Sequence, residues 1–495
     1  MLTWPDQPWI LEINARAWLS GLSSRYGRRI TLHSVPRNIW DELSRTGADS
    51  LWLMGVWRRS EFARSISLRD ARIIAEYRGL LADFSPQDVS GSPYSIAEYF
   101  VDPHLGGPEG LAEARRQLAS RGLYLLLDFV PNHVAPDHPW IMEHPEYFMR
   151  GDKNDQQRYP DAFFCAGESI IARGRDPYFP PWPDTAQLNA FETALRAAAL
   201  DTVRAIAEQC DGVRCDMAML LINRIFSQTW AGRAGIVPPT EYWRDLIAQV
   251  REVHRGFIFV AEAYWDLEWE LLQQGFDYCY DKRLYDRLVE GSAERIREHL
   301  AAPVGYQRRL IRFLENHDEP RAAAVFSPPQ NRAAAMALMT LPGAKLFQEG
   351  QFTGAKIKLS VHLGRCPDES PDEALEAFYQ NLVEIVRTVE LRKGVWQLCQ
   401  QRGWPDNQSC HHLISWCWLV ADRKYVVVLN LSGWRSQGQI IPPWNDLGGR
   451  DWDLRSLLPR QDYGRRSGEE MTTEGLYVDV DAKSFHFLEL VPLEE

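Results

Sequence analysis

The chain has 495 residues, of which 45% are hydrophobic and 25% are charged. This length and composition allow a large buried core and more than one domain. The formal net charge of −12 repels phosphate backbones and anionic lipid headgroups, so nucleic acid and membrane partners are not expected. No apolar run is long enough to span a bilayer, and the first residues lack a signal-peptide pattern, so a cytoplasmic location is expected.

Eight short apolar runs in chain order predict the strands of a parallel sheet. They alternate with amphipathic stretches such as PEGLAEARRQLASRG, in which Leu111, Ala114 and Leu118 have helical spacing and Gly122 follows the last turn. Eight strand and helix units of this kind predict a (β/α)8 TIM barrel. The runs are WILEIN near residue 10, SLWLMG near 51, LYLLLDFV near 125, DGVRCDM near 213, FIFVAEA near 259, FDYCY near 278, LIRFLEN near 312 and AKLFQEG near 346.

Two departures from the barrel pattern predict further domains. After the third strand, residues 134–185 are rich in Pro, Asp, Gly and aromatic residues, which indicates an inserted subdomain that shapes one wall of a cleft. Beyond residue 400, short β-branched and aromatic runs separated by turn residues predict a C-terminal antiparallel β-sandwich. The predicted domains are therefore the barrel (1–133 and 186–400), the insertion (134–185) and the sandwich (401–495).

Three acids follow predicted strands at the end where a barrel places its active site, namely Asp216, Glu262 and Asp318. A retaining glycosidase needs one ionised and one protonated carboxyl group about 5 Å apart. Arg214 lies two positions before Asp216, on the same face of the strand, and is expected to keep it ionised as the nucleophile. Glu262 precedes Ala263, Tyr264 and Trp265, a setting expected to raise its pKa and to suit the general acid and base. Taken singly, each acid also fits a helix cap or half of an ion pair.

The segments DFVPNH, GVRCD, FVAE and ENHDEPR occur in the order found in the α-amylase family of glycoside hydrolases, which the chain resembles over roughly residues 8–400. The resemblance implies that Asp216 is the nucleophile, Glu262 the acid and base, and Asp318 the transition-state stabiliser. It also implies that His133 and His317 bind the glycosyl unit at the cleavage point. Tyr94 resembles the tyrosine that stacks on the same sugar, and Arg214 the arginine beneath the nucleophile. Trp140, Trp182 and Trp265 are candidates for additional sugar platforms.

Asn132 resembles an asparagine that binds a structural calcium ion in many relatives, and an amide oxygen suits this ion. Calcium-binding relatives have a histidine four residues after the nucleophile, where this chain has Leu220. The stretch from Met217 to Leu220 also replaces the polar Lys and His of typical starch-cleaving amylases. Its methionines either line an acceptor site or fill the core. No organic cofactor is expected.

Three functional hypotheses follow. The first is a retaining α-glycosidase that cleaves α-glucosidic bonds of maltooligosaccharides or related α-glucans. The second is a transglycosylase or isomerase on the same scaffold, which hands the covalent glycosyl group to a sugar. The third is a non-catalytic amylase-like binding module, which the three intact acids disfavour. The bond type, the preferred chain length and the oligomeric state stay open.

Overall fold

The computed structural model describes residues 4–493. These residues form two compact units. The first contains residues 10–280 and 357–368 with the N-terminal residues 4–5. The second contains residues 281–356 and 369–493 with the short segment 6–9. None of the helices within residues 4–493 is long and apolar enough to cross a membrane.

The strands are numbered in chain order. They are β1 (Trp9–Asn14), β2 (Ser50–Met54), β3 (Trp57–Arg59), β4 (Ile96–Val101), β5 (Tyr124–Phe129), β6 (His133–Val134), β7 (Phe163–Ala166), β8 (Ser169–Ala172), β9 (Ala186–Gln187), β10 (Gly212–Cys215), β11 (Ile258–Ala261), β12 (Tyr278–Tyr280), β13 (Leu310–Arg312), β14 (Ala344–Gln348), β15 (Val395–Leu398), β16 (Gln400–Arg402), β17 (Leu413–Val420), β18 (Arg423–Asn430), β19 (Ser436–Ile441), β20 (Asp451–Leu457), β21 (Arg460–Ser467), β22 (Leu476–Val480) and β23 (Ser484–Pro492).

The α-helices are also numbered in chain order. They are α1 (Ala15–Tyr26), α2 (Arg37–Arg45), α3 (Glu61–Arg69), α4 (Ala71–Leu80), α5 (Gly107–Ala119), α6 (Trp140–Glu143), α7 (Lys153–Arg158), α8 (Thr193–Ala207), α9 (Asn223–Trp230), α10 (Tyr242–Val253), α11 (Glu268–Gln273), α12 (Lys282–Glu290), α13 (Ala293–Leu300), α14 (Val304–Gln307), α15 (Ala322–Val325), α16 (Pro328–Thr340), α17 (Glu373–Val389) and α18 (Gly468–Thr473).

A closed barrel is formed by the strand order β1, β14, β13, β12, β11, β10, β5 and β2. These are the eight strands that the apolar runs predict, so the predicted TIM barrel is confirmed. The strands read as continuous apolar runs because helices cover the outside of the barrel and side chains fill its inside. Every residue of β2 and β5 is buried, for example.

Local sequence explains how these elements fit together. The predicted helical stripe lies on α5, where Leu111, Ala114 and Leu118 are all buried. Gly212 begins β10, and a Cβ atom there would lie 2.6 Å from the carbonyl oxygen of Ile258 and 2.8 Å from a methyl carbon of Leu126. Only glycine therefore lets β10 approach its two neighbouring strands, β5 and β11.

The segment between β6 and β9 leaves the barrel and folds on its own small core. It contains α6, α7 and the hairpin of β7 and β8. Its ends are joined by antiparallel pairing of His133 with Gln187 and of Val134 with Ala186. Apolar side chains including Ile141, Phe148 and Ile171 pack together beneath it. The proposed domain boundaries themselves stay predictions.

The C-terminal strands form two antiparallel sheets, as predicted. One sheet has the order β15, β17, β18, β23, β20 and β21, and the other has the order β16, β19 and β22. Their shared core contains Val426 and Val428 from β18, Leu488 from β23, and Val478 from β22. Alternating burial along these strands leaves one face of the smaller sheet in contact with solvent.

Candidate active site

Arg214 lies at the centre of a cluster of carboxylates in the first unit. Its side chain, on β10, is almost completely buried. Its Nη1 donates a hydrogen bond of 2.7 Å to Oδ1 of Asp216, and its Nη2 lies 2.9 Å from Oε2 of Glu262. Nη1 also lies 3.9 Å from Oδ1 of Asp128. One guanidinium therefore contacts three buried acids, two of which are the predicted nucleophile and acid.

The register of the parallel strands explains this cluster. Arg214 is paired with Asp128 on β5, and Cys215 is paired with Ala261 on β11. The residues that follow this last pair are Asp216 and Glu262, so both acids leave the sheet at the same level. Strand alternation then places the side chains of Arg214 and Asp216 on the same face.

The electrostatics of Arg214 reflect this crowding. Burial by itself lowers its pKa, but the charge of Glu262, the hydroxyl groups of Tyr94 and Tyr280, and the charge of Asp216 together raise the pKa well above its ordinary value. The guanidinium carbon also lies 5.1 Å from the ring centre of Trp52, 5.1 Å from that of Tyr94 and 5.8 Å from that of Tyr280. Aromatic faces attract a desolvated cation, so these rings keep Arg214 charged and in place.

Glu262 accepts hydrogen bonds at both of its carboxylate oxygens. The backbone N–H of Met217 donates to Oε2 at 2.5 Å, and the hydroxyl of Tyr264 donates to Oε1 at 3.0 Å. Met217 has a φ of 42°, in the left-handed region, and this turn aims its N–H at the acid. The sequence predicted an apolar setting that favours the protonated acid, and this protonation state stays a prediction.

Asp128 is held by the loop that follows β2. Its carboxylate accepts hydrogen bonds of 3.2 Å from the indole N–H of Trp52 and from the backbone N–H of Gly55. Its carbonyl oxygen accepts a 2.7 Å bond from the indole of Trp57. With both carboxylate oxygens engaged, Asp128 is fixed in position beside Arg214.

His133 and Tyr94 lie in the same unit as this cluster. His133 is buried, and burial lowers its pKa although the charge of Asp216 acts in the opposite direction. Its ring centre lies 5.2 Å from that of Trp182, at the end of the inserted segment. Tyr94 contacts Arg214 through its ring face. The structure therefore brings together Tyr94, His133, Arg214, Asp216 and Glu262.

The remaining predicted residues, His317 and Asp318, belong to the second unit. They follow β13, with His317 buried and Asp318 exposed to solvent. Nε2 of His317 lies 3.1 Å from Oδ2 of Asp318. The amide oxygen of Asn316 accepts hydrogen bonds of 2.9 Å from the backbone N–H groups of Asp318 and Glu319, which fixes the turn that presents the acid.

Residues 47–273 match a protein family described as the alpha amylase catalytic domain. The matched segment contains the Arg214 cluster together with Tyr94 and His133. This part of the chain belongs to the α-amylase family. The family resemblance is thereby confirmed over residues 47–273, which contain DFVPNH, GVRCD and FVAE, whereas ENHDEPR lies outside the match.

The individual relatives that the chain resembles include an α-amylase and a maltosyltransferase. α-Amylase MalA of Haloarcula japonica is 27% identical over 354 residues, which are 69% of this chain and 44% of that protein. An α-1,4-glucan:maltose-1-phosphate maltosyltransferase of Cereibacter sphaeroides is 41% identical over 187 residues, which are 36% of this chain and 23% of that protein. The alignments thus span less than half the length of either relative.

A solved structure shows the same fold over almost the full length. The α-amylase of Geobacillus thermoleovorans, in a complex with acarbose, superposes with a TM-score of 0.66 at 18% identity. The superposition covers 99% of each chain. At this identity the likeness establishes the shared fold of barrel and C-terminal sheets.

The surroundings of Asn132 do not suit the calcium ion of some family members. Its amide oxygen accepts a 2.9 Å hydrogen bond from the amide nitrogen of Gln187, and its amide nitrogen lies 3.3 Å from the Gln187 oxygen. Calcium sites are built from several oxygen ligands, usually with carboxylates among them. Within residues 4–493, no three His, Cys, Asp or Glu side chains are grouped so that they could hold a metal ion.

The stretch after Asp216 lies largely in the core. Met219 and Leu220 are buried, and the carbonyl oxygen of Ala218 accepts a hydrogen bond from the indole of Trp243. Met219 therefore fills the core. Met217 is half-buried and contributes its backbone N–H to Glu262.

Several contacts of the cluster were not predicted from the sequence, among them those of Trp52, Tyr264 and Tyr280. Tyr264 lies two residues after Glu262, so strand alternation offered a signal for it. Trp52 and Tyr280 lie within ordinary apolar strands, where nothing in the sequence separates an aromatic residue of the core from one that faces a buried cation.

Proposed function

We propose that this chain is a retaining α-glycosidase that cleaves α-glucosidic bonds of maltooligosaccharides or related α-glucans by double displacement. The observation that carries the proposal is the contact of the Arg214 guanidinium with both Asp216 and Glu262. Retaining glycosidases need two carboxyl groups about 5 Å apart, whereas inverting enzymes need a wider gap that admits water. A single planar guanidinium shared by both acids supports the narrow spacing.

In the first step, a carboxylate oxygen of Asp216 forms a bond to the anomeric carbon as the glycosidic bond breaks. Glu262 gives its proton to the departing glycosidic oxygen, which leaves as a sugar hydroxyl. Asp216 suits the nucleophile because Arg214 donates a hydrogen bond directly to one of its carboxylate oxygens and holds it in position. In the substrate-loaded enzyme, Glu262 carries one proton. Three carboxylates around one buried cation repel one another, and a proton on one of them lowers this repulsion.

In the second step, the shared arginine prepares Glu262 to act as the base. Asp216 becomes a neutral ester in the glycosyl-enzyme, so the charge of Arg214 then acts on Glu262 and Asp128 alone. This favours ionised Glu262, as do its contacts with Met217 and Tyr264. Glu262 takes a proton from water, the oxygen of that water bonds to the anomeric carbon, and Asp216 is released as a carboxylate.

The other predicted residues complete the proposed site. Asp318 follows β13, at the position that the family resemblance gives to the third acid. We assign to it the stabilisation of the oxocarbenium-like transition state. His133 and His317 donate hydrogen bonds to hydroxyls of the sugar at the cleavage point, and Tyr94 stacks on its ring. No organic cofactor or metal takes part in these steps.

Trapping of the covalent intermediate tests the proposal most directly. A fluorinated maltosyl fluoride slows hydrolysis of the glycosyl-enzyme, and mass spectrometry of peptides then identifies the labelled residue. We expect one maltosyl unit on Asp216 and none in Asp216→Asn. The control is Asp201→Asn, because the side chain of Asp201 is 80% exposed on α8. Equal reducing-end release from maltooligosaccharides by wild type and Asp216→Asn contradicts the proposal.

Transfer to a sugar is a second candidate, and exposed aromatic side chains favour it. Tyr178 and Phe179 on the inserted segment are about two-thirds exposed, at 68% and 67%. The ring centre of Tyr178 lies 4.8 Å from that of Trp265, three residues after Glu262. The leaving group departs on the side of the acid, so rings on this loop suit a sugar acceptor that competes with water.

Product analysis separates the two candidates. Longer or rearranged oligosaccharides from maltotriose indicate transfer, whereas glucose and maltose alone indicate hydrolysis. Trp265→Ala should shift the products toward hydrolysis if the aromatic pair holds the acceptor. Binding without any turnover across a broad panel of α-glucans and short α-glucosides would instead support a non-catalytic module. We place the protein in the cytoplasm, and one relative is named an intracellular maltogenic amylase, from Bacillus subtilis.

A further inference from the structure

The first unit holds a cavity at the end of the barrel opposite to the proposed catalytic acids. Its walls include residues that lead into β5, β10 and β11, whereas Asp216 and Glu262 follow β10 and β11. These strands are parallel, so the two groups of residues lie at opposite ends of the barrel. We call this site the lower cavity and define it by Trp4, Arg115, Tyr124, Asp211, Arg255 and Phe257.

Flat apolar surfaces form much of the wall of the lower cavity. The rings of Trp4 and Tyr124 are stacked, with centres 4.2 Å apart and an angle of 15° between their planes. Phe257, Leu123 and Ala207 add buried apolar surface. The volume of about 580 Å³ is within the range of small-molecule sites, roughly 300–1,000 Å³. Rings attract one another in offset contact, so this wall favours a flat aromatic ligand.

The hydroxyl of Tyr124 gives a second indication of a ligand. Tyr124 is only 8% exposed, and no other residue between 4 and 493 forms a hydrogen bond with its hydroxyl. Burial raises the pKa of this hydroxyl, as do the charges of Asp211 and Asp49, so it stays protonated and can donate. Buried polar groups are nearly always hydrogen-bonded in native proteins. An acceptor atom of a ligand in the cavity therefore suits this position.

Two arginines and one aspartate line the lower cavity, and two of these three charges neutralise each other. Nη2 of Arg115 donates a hydrogen bond of 2.7 Å to Oδ1 of Asp211, whose Oδ2 accepts the backbone N–H of Leu125 at 2.8 Å. The side chain of Glu208 lines a neighbouring groove instead. Arg255 is exposed, and no residue of the described chain forms an ion pair with it. The uncommitted charge of the wall is therefore positive.

Arg255 and His254 form a basic rim of the lower cavity. They follow α10 directly, and both line the cavity. A guanidinium offers several N–H donors in a fork that matches a carboxylate or phosphate group, and an imidazole adds a further donor. Hydrogen bonds that involve a charged group are roughly twice as strong as neutral ones. The cavity thus combines a flat apolar wall with an anchor for one acid group.

We propose that the lower cavity is a binding site for a small aromatic acid, a flat ring system that carries one acid group. The ring packs on the apolar wall beside Trp4 and Tyr124, and the acid group binds to Arg255. An acceptor atom of the ligand receives the hydrogen bond of the Tyr124 hydroxyl. The inference is independent of the proposed function, because the site lies at the other end of the barrel and its ligand is not a glucan.

Binding of two fluorescent probes to the full-length protein tests this proposal. Anilinonaphthalene sulfonate is an aromatic acid, and phenylnaphthylamine has the same rings without the sulfonate. Each probe is titrated into wild type, Arg255→Ala and Ala119→Trp. Ala119 is exposed where it lines the cavity, so a larger side chain there reduces the cavity without a change in the core. The control is Arg28→Ala, because Arg28 is also exposed and forms no ion pair within residues 4–493.

We expect Arg255→Ala to bind the sulfonate about tenfold more weakly, the effect of losing one charge-assisted hydrogen bond. Its Kd for the neutral probe should stay that of wild type, because this probe has no acid group. Ala119→Trp should bind both probes more weakly, and Arg28→Ala should bind both like wild type.

Three results overturn the proposal. The first is the absence of saturable sulfonate binding to wild type. The second is an Arg255→Ala variant that binds the sulfonate as tightly as wild type, or that loses both probes equally. The third is unchanged affinity of Ala119→Trp for both probes, which would place them elsewhere on the protein. If Ala119→Trp does not fold, the comparison of the two probes in Arg255→Ala decides alone.

Discussion

Substitution of Glu262 by glutamine separates its proposed role as an acid from its structural contacts. The carboxylate accepts bonds from Met217 at Oε2 and from Tyr264 at Oε1, next to Arg214. A glutamine oxygen can keep the position of Oε2, and its NH2 group then faces Tyr264. A tyrosine hydroxyl both donates and accepts, so it can reverse its role. We therefore expect Glu262→Gln to fold with a Tm close to that of wild type.

The loss of activity should depend on the leaving group. A sugar leaving group needs a proton, and removal of a general acid typically lowers the rate by about 10²–10⁴-fold. Fluoride departs without a proton, so glycosylation by α-maltosyl fluoride should fall far less. The measurement is kcat/KM for maltooligosaccharides and for α-maltosyl fluoride. The control is Glu61→Gln, because the Glu61 side chain is 82% exposed.

The second step gives an independent readout from the same variant. Without the base, hydrolysis of the glycosyl-enzyme becomes slow, and the fluoride substrate should show a burst. Azide is a nucleophile that needs no base, so it should speed turnover and yield a maltosyl azide. Equal losses with both substrates, together with no effect of azide, would refute the assignment of Glu262 as the acid and base.

Three further predictions concern stability. Burial lowers the pKa of His138 to about 4, and its Nδ1 accepts a backbone hydrogen bond, so the folded protein resists protonation there. The unfolded chain binds this proton near pH 6.5, so the free energy of unfolding should fall by about 2 kcal/mol between pH 7 and pH 5. Urea unfolding at the two pH values should show a smaller fall in His138→Gln than in wild type. An equal fall in both proteins contradicts the prediction. EDTA should leave the Tm unchanged. Gln187→Leu removes the hydrogen-bond partner of Asn132 and should lower the free energy of unfolding by about 2–4 kcal/mol. A large fall in Tm with EDTA would instead support a calcium ion bound at Asn132. Gly212→Ala should lower the free energy of unfolding by about 1–3 kcal/mol, because its Cβ meets the carbonyl oxygen of Ile258. Gly305→Ala is the control and should leave the free energy of unfolding unchanged, because a Cβ there has no atom of any other described segment within 4 Å.

The barrel was predictable because of how its strands are buried. A parallel strand with helices outside and side chains inside is apolar at every position, and runs such as those of β2 and β5 stand out in any sequence. The C-terminal sheets were predictable for the opposite reason, since β22 alternates between core and solvent. Both patterns follow from burial alone and need no knowledge of which strand lies beside which.

The contacts of the site depend on register, which the sequence does not contain. Spacing along one strand places Arg214 beside Asp216, and this pairing was predicted. The contact of Arg214 with Glu262 requires that β10 and β11 are aligned so that Cys215 faces Ala261. A methionine in the left-handed region is uncommon, so nothing in the sequence indicated that the N–H of Met217 turns toward the acid.

The shared guanidinium of Arg214 links the protonation of the acids that contact it. Read from the sequence, Asp216 and Glu262 have separate environments that set their protonation one at a time. In the structure, Asp216, Glu262 and Asp128 all contact Arg214 and so compete for one positive charge. In the proposed mechanism, a proton on this group belongs to the cluster, and esterification of one member changes the others. The alternation of Glu262 between acid and base is in this view a property of Arg214 as much as of the glutamate.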